Sequence, residues 1–258
     1  MQMTGNTILV TGGASGIGLA LAEQFKKLGN KVIVAGRSQD KLRTAAEKGF
    51  ETFTVDMTDE TSIATLANNV TKEFPLLNIV LHNAGIMKNE NLIRSDHAGV
   101  AQETVATNLL GPILLTEALL PHLLRMPEAT IMAVTSGLAF TPLAMTPTYC
   151  ATKAGIHVYA QCLRYQLKDT HVKVLEIVPP YVQTHLMGER QAQDKMAMPL
   201  EEFVSEVMQI LSSGNYTNEI LVQRVMPLRN SAHDGVDARQ GFFEKFNDTM
   251  FAVRKGEW

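Results

Sequence analysis

The sequence predicts an α/β fold, a doubly wound parallel sheet of seven strands with helices on both faces. Three observations carry this. Short β-branched runs alternate with longer helical patterns along most of the chain, which marks repeated βαβ units. The strand runs are nearly continuous in apolar residues, as strands covered on both faces require. The first of them leads through a glycine-rich turn, TGGASGIG at 11–18, directly into a helix.

Taken in order, the first strand is expected at 7–11 and its helix at 16–28, stopped by Gly29. Strand 31–35 precedes a helix at 40–48, and strand 50–55 precedes one at 58–73. After strand 78–82 a long helix runs over 97–125, and after strand 130–135 another runs over 147–168. Strand 172–178, a helix at 200–212 and a last strand at 219–223 complete the alternation. No stretch rich in Pro, Gly or Ser divides the chain, so 1–258 is expected to be one domain. Two segments depart from the pattern. Residues 184–198 (THLMGERQAQDKMAM) are polar and come after a strand end, where open sheets bind ligands, and are the candidate substrate lid. The C-terminal extension, 224–258, carries Phe242, Phe243, Phe246, Met250 and Val253 at helical spacing, for packing on its own body or on a partner subunit.

Composition narrows the function. The 258 residues are 45% hydrophobic and 19% charged, enough for one large core without disulfides or a metal. A formal net charge of -3 and the lack of a Lys/Arg cluster disfavour nucleic acid as a partner. Cys150 and Cys162 read as thiols of a reducing compartment. No signal-peptide pattern opens the sequence and no apolar run approaches 18 residues, so a soluble, cytoplasmic protein without a membrane partner is expected.

The turn at 11–18 has a physical reading. Gly12 permits the tight bend, Gly16 lets backbone approach a pyrophosphate, and Gly18 lets the helix pack closely on the sheet, with the helix N-terminus facing the anion. This is a Rossmann-type arrangement. At the end of the second strand an NAD enzyme usually places an acid against the ribose 2′-hydroxyl. Here Arg37 and Ser38 come after Gly36, and an arginine fork pairs with a 2′-phosphate. NADP(H) is the expected cofactor. The plainer reading, Arg37 as a solvated residue stacking on adenine, leaves discrimination weak.

Further along, Tyr149 and Lys153 stand four residues apart in a helical pattern, on one face, with Ser136 at the end of the fifth strand. An ammonium beside a phenol favours the phenolate, which would let Tyr149 act as general acid in reduction and general base in oxidation. Ser136 would donate to a substrate oxygen as it gains negative charge. With TGxxxGxG at the start, His82-Asn83-Ala84-Gly85 after the fourth strand and Val178-Pro179-Pro180 before Thr184, the sequence resembles the short-chain dehydrogenase/reductase family, in its single-domain short branch. The resemblance spans 6–223. Within it, HNAGI, TPTYCATKAGIH and MPLEEFVSEVMQIL look like the bacterial DltE-type oxidoreductases.

The resemblance implies a dinucleotide-binding oxidoreductase with Asn108, Ser136, Tyr149 and Lys153 as catalytic residues. It implies cofactor contacts from Gly12, Ser15, Gly16, Ile17, Gly18, Arg37, Ser38, Asp56, Met57, Asn83, Ala84, Gly85, Tyr149, Lys153, Pro179, Val182 and Thr184, and no metal. Two positions depart from the family pattern. His82 replaces the commoner first residue and is read as structural. Pro180 replaces a glycine, which stiffens the turn and removes a backbone donor. The expected activity is a carbonyl reductase or alcohol dehydrogenase moving a hydride between NADP(H) and a small carbonyl or alcohol. The alternatives are an NADP(H)-binding redox sensor without turnover and an NAD-dependent alcohol dehydrogenase. Reduction of an enoyl thioester fits less well, because it usually spaces tyrosine and lysine more widely. The substrate pocket is expected around Gly137, Leu138, 140–145, Tyr181, His185, Leu186 and Met187. The helices at 97–125 and 147–168 are expected to pair subunits into a homodimer or homotetramer.

Overall fold

Strands of β-branched and apolar residues form where the sequence places them. In the computed structural model, which describes residues 1–94, 98–231 and 235–254, β1 (Thr7–Thr11) is followed by α1 (Gly16–Lys27), β2 (Lys31–Gly36), α2 (Gln39–Glu47), β3 (Glu51–Thr54) and α3 (Glu60–Glu73). β4 (Leu77–His82) then leads to α4 (Val100–Val105), a π-helical turn at Ala106–Leu110, and α5 (Gly111–Leu123). β5 (Ala129–Val134), α6 (Pro147–Gln166), β6 (Val172–Val178), α7 (Glu189–Gln193), α8 (Leu200–Ser213), β7 (Glu219–Leu221), α9 (Met226–Arg229) and α10 (Val236–Val253) complete the chain.

All seven strands pair in parallel in the order β3-β2-β1-β4-β5-β6-β7. The chain winds outward from β1 to β3, returns to the centre at β4, and winds outward again to β7. The winding reverses between β1 and β4, and the crevice beyond their C-terminal ends is where such sheets bind ligands.

Alternation along each strand splits the core into two layers. Ile8 and Val10 of β1 face one layer, with Leu21 and Phe25 of α1 and Phe203 and Val207 of α8. Leu9 faces the other, with Leu66 and Val70 of α3, Leu115, Leu119 and Leu123 of α5, and Leu163 of α6. Glu176, fully buried in β6, is held by His157 Nδ1 at 2.8 Å and Arg164 Nη2 at 3.1 Å, which pairs a charge that burial alone would make costly.

The long helix expected at 97–125 is observed over Val100–Leu123, and position 97 lies outside the described residues. It is long and apolar enough to cross a membrane by length and composition, yet Leu115, Leu119 and Leu123 are fully buried against the sheet. Its π turn is invisible to periodicity, because one extra residue in a turn leaves no compositional mark. Gly111 comes directly after it; a Cβ there would stand 2.5 Å from the Met57 carbonyl oxygen. The last strand is shorter than expected, since Gln223 enters a 3₁₀ turn, Gln223–Val225.

Candidate active site

The turn after β1 is shaped by what stands behind it. Gly12 has φ +63, and a Cβ on it would meet Ala84 Cα at 2.8 Å. A Cβ on Gly18 would meet Asn83 Nδ2 at 2.3 Å and Gly12 O at 2.6 Å. Asn83 Nδ2 in turn donates to the carbonyls of Thr11 and Gly12 at 3.2 and 3.1 Å, while the Thr11 hydroxyl accepts the amides of Asn83 and Ala84. The loop after β4 thus pins the turn after β1. Gly16, at φ +54, is open, with only the Thr184 side chain nearby at 3.8 Å. Ser15 is the N-cap of α1 and makes no side-chain capping bond, and Ile17 packs on the core below.

At the edge of this cleft, Arg37 stands just after β2 with its side chain 64% exposed, 3.8 Å from Glu103 Oε1. Glu103 Oε2 also accepts Lys88 Nζ at 2.6 Å. Ser38 caps α2 through the Lys41 amide. The Asp56 carboxyl is held below its usual range by the Thr58 amide and hydroxyl, with Arg37 adding to the effect. Met57 is buried against Gly111.

The four residues expected to act on substrate come together beyond β4 and β5. Asn108 sits in the π turn and is 2% exposed. Its Oδ1 accepts the Ile86 amide and its Nδ2 donates to the Ile86 carbonyl, both at 2.8 Å. Nδ2 also reaches Thr152 Oγ1 at 3.3 Å, and that hydroxyl donates to the Tyr149 carbonyl at 2.7 Å. A Cβ on Gly85 would stand 3.3 Å from Asn108 Oδ1 and 3.8 Å from Lys153 Nζ, so this glycine keeps open the floor between them. Lys153 Nζ lies 5.6 Å from the centroid of the Tyr149 ring and donates to the Val134 carbonyl at 2.7 Å. Ser136 Oγ accepts the Leu138 amide at 3.1 Å and is hydrogen-bonded to the Tyr149 hydroxyl.

The electrostatics differ from the sequence expectation. Spacing alone has Lys153 favouring the Tyr149 phenolate, but burial pushes that phenol up, and the Ser136 hydrogen bond only partly offsets it. The lysine shows why: burial pulls it down to about 8, and its ammonium is turned to a backbone carbonyl. His82 is buried, with Nε2 on Thr116 Oγ1 at 2.9 Å, and burial lowers it to about 4, so it is neutral near pH 7.

The segment after β6 returns to its own start. The Pro179 carbonyl accepts the Gly137 amide at 2.9 Å, and Pro180 is half-buried beside it. Val182 bridges Met198, while Gln191 of α7 donates to the Val182 carbonyl at 2.8 Å and to Thr184 Oγ1 at 3.1 Å. Within this flap Met187 turns inward, whereas His185 and Leu186, expected in the pocket wall, are exposed. α10 lays Phe246, Met250 and Phe251 over the cluster of Leu143, Met145, Tyr149 and Cys150. Sequence reasoning missed Thr11, Thr152, Gln191 and Arg254. Each acts through a single side chain; Thr11, Thr152 and Gln191 lay inside segments that the sequence singled out for other residues, whereas Arg254 lay in none.

The family model for short chain dehydrogenase matches residues 6–195. The chain is 39% identical over 255 residues to the uncharacterized oxidoreductase DltE of Bacillus subtilis, covering 96% of this chain and 98% of that one. Among solved structures it superposes with a TM-score of 0.80 on a short chain dehydrogenase of Burkholderia cenocepacia in complex with NADP, at 20% identity over 95% of this chain and 98% of that one. A short chain dehydrogenase/reductase of Burkholderia phymatum in complex with NAD gives 0.78, at 18% identity over 91% and 95%. At such identities these two likenesses speak to the fold.

Proposed function

The chain belongs to the short chain dehydrogenase family, and from that premise we propose that it is an NADPH-dependent carbonyl reductase or alcohol dehydrogenase acting on a small ketone, aldehyde or alcohol. The observation that carries the reading is the gathering of Ser136, Tyr149, Lys153 and Asn108, each less than a tenth exposed, with Lys153 near the Tyr149 ring and both Lys153 and Asn108 beside Gly85.

The residues fit a dinucleotide. Gly12 and Gly18 let the turn close against Asn83 and Ala84, which a Cβ on either would prevent, and Gly16 leaves the N-terminus of α1 open to a pyrophosphate. Lys153 keeps two of its three donors beyond the Val134 carbonyl for the ribose hydroxyls. Arg37 and Ser38 would meet a 2′-phosphate, and Asp56 and Met57 would meet the adenine. Pro179, Val182 and Thr184 would hold the nicotinamide end, and relatives of this fold carry either NADP or NAD. When bound, the nicotinamide supplies the hydride in reduction and accepts it in oxidation.

In reduction, the Ser136 hydroxyl donates to the substrate oxygen, since Ser136 Oγ already takes the Leu138 amide as its acceptor bond. Tyr149 gives its phenolic proton to that oxygen as the carbonyl carbon gains the hydride, and the alcohol leaves with both. A phenol that burial holds protonated is suited to that first role. Solvent returns the proton past Lys153 and Asn108. In the reverse direction the same oxygen, as phenolate, takes the alcohol proton.

Exposed Val105 and Leu110 on the long helix and Val158 and Tyr165 on α6 support pairing of subunits through these helices as a homodimer or homotetramer. The function is tested by fluorescence titration of the protein with NADPH and NADH, followed by absorbance assays with ketones, aldehydes and diketones. The reading requires tighter NADPH binding and carbonyl-dependent oxidation. Binding without turnover of any carbonyl would favour the sensor reading instead.

A further inference from the structure

The end of the chain brings to this pocket a charge that the hydride chemistry leaves unused. Arg254 stands just after α10 and is 5% exposed. Its Nη1 lies 3.6 Å from Met145 Sδ and 3.8 Å from Met187 Sδ, and its guanidinium lies 5.0 Å over the Tyr181 ring. Met145 belongs to the cluster that encloses Tyr149, while Met187 and Tyr181 belong to the flap. Arg254 therefore stands where flap and tail meet, against the cluster that holds Tyr149. Arg190 of α7 fastens that junction by donating to the Val253 carbonyl at 3.1 Å.

The surroundings are wrong for a structural charge. A guanidinium stays protonated at any working pH, and burying it without an anion is costly. Its partners are two thioether sulfurs, the face of the Tyr181 ring and the Tyr181 hydroxyl, and none of them carries a negative charge. Among the described residues no carboxylate lies within ion-pair distance of Arg254, and the neighbouring Asp194 carboxylate takes the Tyr181 hydroxyl at 3.0 Å instead. Contrast Glu176 and Glu219, whose carboxylates meet Arg164 and Arg229 directly. The planar fork of Arg254 lacks the bidentate oxygen partner that such a group fits.

We propose that Arg254 binds an anionic group on the substrate, so that the site acts on oxo acids and hydroxy acids in preference to neutral carbonyls and alcohols. The proposal rests on the oxidoreductase reading and names its substrate class. The reaction balances as before: the oxo carbon gains the hydride, its oxygen gains the Tyr149 proton, and the carboxylate paired with Arg254 is unchanged.

The test compares short oxo acids with their methyl esters as substrates with NADPH. Wild type should favour acid over ester in kcat/KM by about 10²-fold, the scale of a buried charge pair. Arg254→Met should abolish that ratio while keeping ester turnover, and Arg254→Lys should restore part of it. NADPH affinity should be unchanged in both variants. An equal use of acid and ester by wild type overturns the proposal, as does equal loss of both in Arg254→Met. A loss of NADPH affinity with the acid preference intact would assign the cation to the cofactor phosphates and also overturn it. If no carbonyl is reduced, the oxidoreductase reading fails, and thermal shift then decides the anion site separately. Stabilisation of wild type but not Arg254→Met by an oxo acid upholds the site; no stabilisation of either removes it.

Discussion

Glu90 and Thr148 are joined by two hydrogen bonds: Oε1 accepts the Thr148 amide at 3.1 Å and Oε2 accepts its hydroxyl at 2.6 Å. Glu90 is 2% exposed, and Thr146, the N-cap of α6, makes no side-chain capping bond. A carboxylate from the loop after β4 thus caps the helix that presents Tyr149, with the sign its N-terminus favours. Glu90→Gln keeps the shape but removes the charge. It should cost about 1–2 kcal/mol in urea unfolding, with a fall in turnover as the start of α6 loosens. Unaltered stability would mean that the cap contributes nothing.

Tyr149→Phe removes the proton donor and keeps the ring that Leu143 and Met145 pack against. Turnover should drop by at least about 10²-fold, the usual scale of general acid catalysis, with NADPH affinity near wild type. Retained turnover in a variant that binds NADPH normally would remove Tyr149 from the mechanism.

Lys153 carries a pH signature. The unfolded chain holds its proton up to about pH 10.5, while the folded, cofactor-free protein releases it near 8 because burial disfavours the charge. Between those values the unfolded state binds more protons, so this residue makes folding more favourable as pH rises. Below about pH 8 both states are charged and the cost of burial is full, on the order of 3 kcal/mol. The unfolding free energy of wild type minus that of Lys153→Met should therefore climb from pH 7 to pH 10, and a flat difference would contradict the burial argument.

Arg37 and Glu103 lie 3.8 Å apart at the edge of the cleft, so on the proposed function the glutamate would compete with a 2′-phosphate for the guanidinium. Glu103→Gln should tighten NADPH by a few-fold at low salt and leave NADH nearly unchanged, while Arg37→Asp should weaken NADPH and relatively favour NADH. Titration of each variant with both cofactors checks this. An unchanged ratio in both would return Arg37 to the solvated surface.

Gly18→Ala tests the brace behind the phosphate turn. The added methyl would stand 2.3 Å from Asn83 Nδ2, so Asn83 must leave the carbonyls of Thr11 and Gly12. A destabilisation of about 1–3 kcal/mol and weaker binding of both cofactors are expected. Normal thermal stability and normal affinity would contradict the close packing of Asn83 and the Gly12 carbonyl on Gly18.

The fold was legible because its signals are local and repeated. β1 falls at Thr7–Thr11 as expected, since the apolar run ends in a glycine turn that no helix could continue. The positions of Tyr149, Lys153, Ser136 and Asn108 were legible because motif and spacing mark them. Their electrostatics were not, because a pKa depends on burial and on where an ammonium points, and neither is written in spacing. Arg254 was invisible for a different reason: a lone arginine near the end of the chain has no motif, and its burial arises only once α10 has crossed the pocket.

The reversal of winding between β1 and β4 divides the labour of the sheet. Arg37, Ser38 and the phosphate turn hang from β1 and β2, whereas Ser136, Tyr149, the flap and the tail hang from β5, α6, β6 and the elements C-terminal to them. The loop at Asn83 fastens one group to the other beside the crevice. On the proposed function, selection could retune the substrate by editing the second half while the residues proposed to read the 2′-phosphate, carried by the first, stay as they are.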